Sequence, residues 1–199
     1  MILNHLWGIY AHPKEEWHTI DERHESYFYA LSHICIIALI PSIVGYYSAA
    51  HIGWSIGVGD VIKLTQESAL VMAVGMYFGL VAGVIALAIL AHELAKAFDS
   101  SPTYTQSLEL AAYTATPLFM VGFAALYPVL WFVMAVGLVG LSYSVYLLYS
   151  GVPIMMHIPE EKGFIYSSSV VTCGLVLLVI LMATSVILWS AGMGPVYVH

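Results

Sequence analysis

Charge is the property that this sequence has least of. Only 9% of its 199 residues are Asp, Glu, Lys or Arg, and five residues are basic, whereas roughly a quarter of the residues in soluble domains are charged. The chain is instead 61% hydrophobic, with a mean hydropathy of +0.89. These values exclude an ordinary soluble domain and a basic surface for nucleic acid, and they predict a polytopic membrane protein.

Cysteine is also scarce, and the segments that target or divide a chain are missing. Cys35 and Cys173 lie inside apolar segments, where a free thiol packs as a small side chain. The first residues lack the basic start and apolar core of a cleavable signal, so we expect the first span to insert by itself. Because no linker or repeat occurs, residues 1–199 are predicted to form a single membrane domain.

The sequence motifs of common enzymes are absent or incomplete. No phosphate-binding loop or dinucleotide fingerprint occurs. Gly53 to Gly57 match G-x-S-x-G, but they lie in a short loop and not in the strand-turn-helix setting that a nucleophile needs. His92 and Glu93 begin a zinc motif in which Lys96 replaces the second histidine. We therefore expect no enzyme and no cofactor-binding residues.

Five apolar segments are long enough to cross a membrane. Ser68 to Ala91 contains no charge and makes a helix of about 36 Å, against a hydrocarbon thickness of about 30 Å. Leu108 to Tyr149 would be about 63 Å long and must fold as two spans, with a turn at Tyr127 and Pro128. The predicted fold is an all-α bundle of five transmembrane helices, with spans at about 30–48, 68–92, 110–126, 129–149 and 168–190.

Small residues and prolines are predicted to mark the contacts between these spans. Gly75, Gly79 and Gly83 recur every four residues on one face of the second span, where another helix can approach closely. We therefore expect this span at the centre of the bundle. A second small-residue face is predicted at Gly137 and Gly140, and helix kinks are predicted at Pro41 and Pro117.

An amphipathic segment, within residues 1–29, precedes the first span. From Pro13 to about Tyr29, apolar residues such as Trp17 and Ile20 recur at helical spacing, and acidic residues follow the opposite stripe. Helices that lie on anionic lipid are usually rich in Lys and Arg. Because this one is acidic, we expect it to dock on protein.

The basic residues predict the orientation of the chain. Lys63 lies in the loop after the first span, and the other four basic residues fall on the amino-terminal side of the membrane. Since basic residues concentrate in cytoplasmic loops, the amino terminus is predicted to be cytoplasmic and the carboxyl terminus periplasmic. All acidic residues except Asp60 and Glu67 then lie on the cytoplasmic side, which makes this face strongly acidic.

Acidic and histidine side chains share one stripe of the amphipathic helix, and their chemistry suits a metal. Carboxylate oxygen and imidazole nitrogen are ligands for Zn²⁺, Fe²⁺ or Mn²⁺. We favour a divalent-metal site formed by Glu22, Glu25, His33 and His92, which all fall at the cytoplasmic membrane interface. Further candidate ligands are Glu15, Glu16, His18 and Glu93, and also His157 and Glu160 in the loop before the fifth span. The alternative is a solvated acidic face that holds no metal.

Several motifs, in their order along the chain, resemble those of the Yip-domain family. They are Pro13-x-x-x-Trp17-x-x-Ile20, Tyr113-x-x-Thr116-Pro117, Tyr127-Pro128 and Tyr146-Leu147-x-Tyr149-x-Gly151-x-Pro153. The chain is similar in particular to the bacterial branch of unknown function, and this resemblance implies a multi-pass protein of the bacterial inner membrane. For eukaryotic relatives the family implies Golgi and ER membranes and prenylated Rab-type GTPase partners. The Asp-Leu-Tyr-Gly-Pro motif of those relatives is missing here, so no GTPase partner is expected.

Two classes of function follow from these observations. A non-catalytic component would organise the lipid bilayer or bind partners, either a second copy of the chain or another membrane protein. A transporter or channel would conduct a small solute, such as a divalent cation gathered by the acidic face. Ion pathways usually keep ionisable residues at depth in the membrane, but here they lie near the span ends: His33, His92, Glu93 and Glu109. The sequence therefore favours the non-catalytic component.

The predicted orientation can be tested with single cysteines in a background that lacks the two native ones. A membrane-impermeant thiol reagent added from outside should label Ser55→Cys and Tyr197→Cys. Ser26→Cys and Ser101→Cys should stay unlabelled until the membrane is opened, because they lie on the cytoplasmic side. Labelling of position 26 in intact cells would overturn the orientation.

Overall fold

The computed structural model describes residues 8–23, 26–55 and 61–198. This part of the chain is helical, with isolated β-bridges in place of a sheet. Its α-helices are α1 (Pro13–Arg23), α2 (Tyr27–Tyr47), α3 (Gln66–Ala95), α4 (Tyr104–Met120), α5 (Leu130–Met155) and α6 (Glu160–Leu188). Short π-helical or 3-10 segments extend α2, α3, α4 and α6 at their ends: Ser48–Ile52, Lys96–Phe98, Val121–Leu126 and Trp189–Met193.

Helices α2 to α6 are long and apolar enough to cross a membrane, and the predicted all-α fold with five spans is confirmed. Helices α3 and α4 begin before the apolar runs do, because polar residues cap them. Thr65 accepts a hydrogen bond from the N–H of Ser68 at the start of α3. Thr103 accepts one from the N–H of Gln106 at the start of α4.

Helix α4, and not α3, lies at the centre of the bundle. It packs against α2, α3 and α5. In an apolar stretch of 18 residues within each helix, 67% is buried in α4 and 11% in α3. The expectation that the glycine-rich span is central is therefore wrong. Helix α4 has the lowest mean hydropathy of the five, 1.3, and it carries the buried polar residues Ser107, Glu109, Thr114 and Thr116. Because hydrocarbon cannot hydrogen-bond these groups, the least apolar helix takes the position with the most protein around it.

The glycines of α3 meet α6 over part of the predicted stripe. A Cβ atom built at Gly83 would lie 3.2 Å from Cδ1 of Leu181, and one built at Gly79 would lie 3.8 Å from Cδ2 of the same side chain. A Cβ at Gly75 meets nothing within 4 Å. The described chain therefore uses the carboxyl-terminal part of the stripe for helix contact, while Gly75 is exposed.

The two glycines predicted to form a contact face on α5 also differ from each other. Gly140 is buried against Val121. A Cβ atom built at Gly140 would lie 3.4 Å from the carbonyl oxygen of Pro117. A Cβ built at Gly137 meets nothing within 4 Å. Pro41 lies inside the continuous helix α2. A Cβ atom built at Gly122 would lie 2.6 Å from the Cα atom of Pro41. Pro41 and Pro117 thus lie at close helix contacts, and the kinks expected there stay a prediction.

The loop between α2 and α3 pairs with the carboxyl-terminal segment at the end of the bundle opposite α1. Trp54 and Ile62 exchange two backbone hydrogen bonds of 3.0 and 2.8 Å. The N–H of Thr65 donates to the carbonyl of Val196 at 2.9 Å. Residues 56–60, which include part of the G-x-S-x-G match, lie outside the described residues. The loop and the carboxyl-terminal segment therefore share one end, as five spans require.

The close contact between Gly151 and two core side chains leads to a stability prediction. A Cβ built at Gly151 would lie 2.6 Å from the Trp17 ring and 2.9 Å from Leu110, which are both buried. Gly151→Leu should therefore lower the free energy of unfolding in detergent by about 1–3 kcal/mol, the usual cost of overpacking. The matched control is Gly137→Leu on the same helix, which has open space and should unfold like the wild type. Equal unfolding of the two variants would contradict the observed packing.

Candidate functional site at the amino-terminal face

Helix α1 is fixed to the bundle by an aromatic side chain. Trp17 is fully buried, and its ring lies edge-on to Tyr113 of α4 with the ring centroids 6.2 Å apart. Its indole N–H donates to Oγ of Ser150 on α5 at 3.3 Å. Ile20, one turn later, is also fully buried. The prediction that this acidic helix docks on protein is confirmed.

Asp21 connects three elements at this end of the bundle. One carboxylate oxygen accepts a hydrogen bond from Nε2 of Gln106 at 2.8 Å, and the other lies 3.2 Å from Nε2 of His157. Oε1 of the same Gln106 accepts from the N–H of Thr103 at 2.8 Å and so caps α4. Since the Gln106 amide uses both of its ends, α1, the start of α4 and the turn between α5 and α6 are held together. We call this end, with α1 and the two turns beside it, the amino-terminal face.

His157 adopts an unusual backbone conformation beside Asp21. Its φ is +50°, in the left-handed region that side chains other than glycine seldom occupy. Such a conformation persists when surrounding contacts determine it. The contact with Asp21 is one of these, which makes the α5–α6 turn part of the same constellation.

A polar cluster is buried between α2 and α4. Nε2 of His33 lies 2.9 Å from Oγ1 of Thr116, whose hydroxyl donates to the carbonyl of Ala112 at 2.9 Å. The two contacts form together when His33 donates through Nε2, and Nε2 is then engaged with Thr116. The His33 ring also packs on Tyr113, with centroids 4.6 Å apart. Glu109 is buried on the same helix α4, with 1% of its surface exposed.

The four residues favoured as metal ligands occupy different environments. His33 is buried in the polar cluster, His92 is half-buried with its ring 6.0 Å from that of Tyr104, and Glu22 is exposed. Glu25 lies outside the described residues. Within residues 8–23, 26–55 and 61–198, no three His, Cys, Asp or Glu side chains are close enough to hold a metal ion. A metal site that includes Glu25 stays a prediction.

The remaining candidate ligands lie on α1, near the end of α3 and at the turn before α6. Glu15 and His18 are exposed and Glu16 is half-buried. Glu93 binds Nζ of Lys96 at 2.7 Å. Helix α1 ends at Arg23, and Ser26 has extended backbone (φ −75°, ψ 150°) as the N-cap of α2. The acid and histidine stripe therefore does not continue along a single helix into the first span.

A cavity of about 670 Å³ opens on the amino-terminal face between α1, the end of α5 and the start of α6. Its wall combines charges of both signs with apolar side chains from the two spans. The acidic, basic and histidine residues of the wall are Lys14, His18, Asp21, His157 and Glu160. A concave surface of this kind suits a polar ligand or a peptide segment at the membrane interface.

The segment before α1 is attached separately to α5. Tyr10 stacks on Tyr143 with ring centroids 5.3 Å apart and the planes 8° from parallel. The hydroxyl of Tyr143 donates to the carbonyl of Ile9 at 2.8 Å. Burial, and to a lesser degree the neighbouring Tyr143 hydroxyl, raise the pKa of Tyr10 above its usual range. Tyr10 therefore stays a neutral phenol at physiological pH.

Three residues of this face were not recognised as site residues from the sequence. Gln106 and Asp21 form its central hydrogen bond, and Glu109 lies buried beneath it. A signal for Gln106 was present, because Thr103-x-x-Gln106 is a capping-box sequence. The long-range contact with Asp21 has no comparable local signal.

An acidic helix docked on five apolar spans defines an integral membrane protein with a polar surface at one end. The chain belongs to the Yip family, since the Yip1 domain model matches residues 7–181. It is 36% identical to the inner membrane protein YohC of Escherichia coli strain K12 over 191 residues, which cover 96% of this chain and 98% of the relative. YohC of Escherichia coli O6:H1 strain CFT073 matches with the same identity and coverage. No solved structure matches the chain.

The role of Asp21 can be tested by hydrogen exchange. Asp21→Ala removes the acceptor for Gln106 and the contact with His157, so the amides of α1 should open more easily. Loss of about 1 kcal/mol corresponds to exchange about fivefold faster in α1. Glu22→Ala, the exposed neighbour on the same helix, is the control and should exchange at the wild-type rate. If both variants exchange alike, Asp21 does not hold α1 in place.

Proposed function

We propose that the protein is a non-catalytic component of the bacterial inner membrane that binds a membrane-protein partner through its amino-terminal face. The observation that carries this proposal is the arrangement of α1. Its apolar side, Trp17 and Ile20, is buried in the bundle, while Lys14, Glu15, His18 and Glu22 are exposed. Because the apolar side of α1 is fixed in the bundle, its charged side is held outward, where a partner protein can bind it.

The orientation supports a cytoplasmic partner. Lys14, Arg23, Lys96 and Lys162 lie at the amino-terminal face, and Lys63 lies at the opposite end. We therefore place the amino terminus in the cytoplasm and the carboxyl terminus in the periplasm. Acidic residues still outnumber basic ones on the cytoplasmic face, which favours a partner with a basic segment next to the membrane. Such segments are common on the cytoplasmic side of spans because of the same charge rule.

The partner experiment uses a photo-crosslinking amino acid at position 18, in membranes that hold the full chain. We expect one crosslinked protein that is lost when Glu15→Lys and Glu22→Lys are combined, because these exposed changes reverse the charge without touching the core. The crosslink should weaken between about 0.1 M and about 1 M salt, as the screening length falls from about 10 Å to about 3 Å. The control is the same crosslinker at exposed position 66, which lies at the start of α3 and at the end of the bundle opposite α1. Crosslinks that survive charge reversal and salt would refute an acidic docking face.

A second function is favoured by a specific observation, the burial of ionisable side chains within the bundle. His33 and Glu109 lie near the ends of spans α2 and α4, yet they are only 0% and 1% exposed, and ionisable residues enclosed by spans often belong to ion pathways. In this alternative the protein conducts a small cation.

The alternative is tested by cation flux into proteoliposomes that contain the purified protein. Conduction predicts flux that falls at least tenfold in Glu109→Gln, with Glu22→Gln on the surface as the control. Equal flux in empty and protein-containing vesicles would remove this alternative and leave the partner-binding function.

A further inference from the structure

The cavity of about 670 Å³ on the amino-terminal face lies at the level of the lipid headgroups. Its wall extends from Glu160, the first residue of α6, to Tyr149 of α5. Tyr149 is where the predicted fourth span ends, and it lies about 9 Å along α5 from the last residue, Met155, at 1.5 Å per residue. The headgroup layer on each side of a bilayer is about 5–8 Å thick. The cavity therefore matches the headgroup layer in depth and touches the hydrocarbon at its inner end.

Two opposite charges on the wall of this cavity are not paired within the protein. Lys14 of α1 and Glu160 of α6 both line the cavity and are both exposed. Neither forms an ion pair with any residue in the ranges 8–23, 26–55 and 61–198. Asp21, the other acid of the wall, already accepts from Gln106 and contacts His157. The cavity therefore offers one separate cation and one separate carboxylate to a ligand.

The apolar part of the wall is open to the surrounding lipid. Phe164 of α6 lines the cavity and is 67% exposed, and Ile165 beside it is 60% exposed. The Phe164 ring contacts Tyr149 across the two helices, with ring centroids 5.6 Å apart. A molecule of the bilayer can therefore place a polar group between Lys14 and Glu160 and leave its apolar part outside, along α6.

We infer that this cavity binds phosphatidylethanolamine, a phospholipid whose headgroup carries charges of both signs. Its phosphate binds Lys14, and its primary ammonium donates hydrogen bonds to the carboxylate of Glu160. Phosphatidylglycerol has no cation for Glu160, and the quaternary ammonium of phosphatidylcholine has no N–H to donate. A volume of about 670 Å³ is within the range of about 300–1,000 Å³ usual for ligand sites. The inference goes beyond the proposed partner-binding function and does not depend on it, because the lipid binds in the absence of a partner.

The test is native mass spectrometry of the full chain, stripped of lipid in detergent and mixed with equal amounts of the dioctanoyl forms of the three phospholipids. Wild type should bind phosphatidylethanolamine about fivefold more tightly than either of the others, as expected for one exposed charge pair. Glu160→Gln should lose this preference. The matched control is Glu161→Gln, which removes the same charge from an exposed neighbour outside the cavity wall and should bind like wild type.

Charge reversal at the same position separates a lipid site from a structural role. Glu160→Lys gives the cavity two cations and should change the preference to phosphatidylglycerol, whereas Glu161→Lys should keep the wild-type preference. The same change of preference in both variants would show a general charge effect and overturn the inference. Equal binding of the three lipids by wild type would overturn it as well and favour a peptide segment. Displacement of the lipid by an equal concentration of glycerophosphoethanolamine would exclude a bilayer lipid as the ligand.

Discussion

The hydrocarbon of the bilayer offers no hydrogen-bond partners, and α4, the helix in the middle of this bundle, carries several buried polar side chains. Glu109, Thr114 and Thr116 are all buried on α4, and they can be buried only if protein surrounds that helix. Helices α2, α3 and α5 pack around α4 for this reason. The position of α1 follows from the same constraint, because Trp17 and Ile20 complete the enclosure of α4 from the amino-terminal side.

The five spans could be predicted because hydrophobic length is a local property of the sequence. The order of the spans around the centre could not be predicted from the glycine stripe, because small residues permit close contact without requiring it. Gly75 and Gly83 belong to the same repeat, yet a Cβ atom would have a near neighbour only at Gly83. Polarity was the better guide, since Glu109 in an otherwise apolar run already distinguishes α4 as the span that must be shielded.

The candidate site was predictable in its composition and not in its geometry. The acidic character of α1 and its docking through Trp17 follow from helical periodicity. The hydrogen bond from Gln106 to Asp21 joins residues 85 positions apart, and no local pattern encodes such a contact. His33 illustrates the same limit, because its buried contact with Thr116 joins residues 83 positions apart.

The pairing between the α2–α3 loop and the carboxyl-terminal segment has a consequence for how the protein is made. Val198 donates its N–H to the carbonyl of Lys63, and Ser68 Oγ accepts from the N–H of Val196. The hydrogen bonds between this loop and residues 196–198 therefore form only after all five spans have been synthesised. A bulky domain fused directly after residue 198 would therefore lie against that loop.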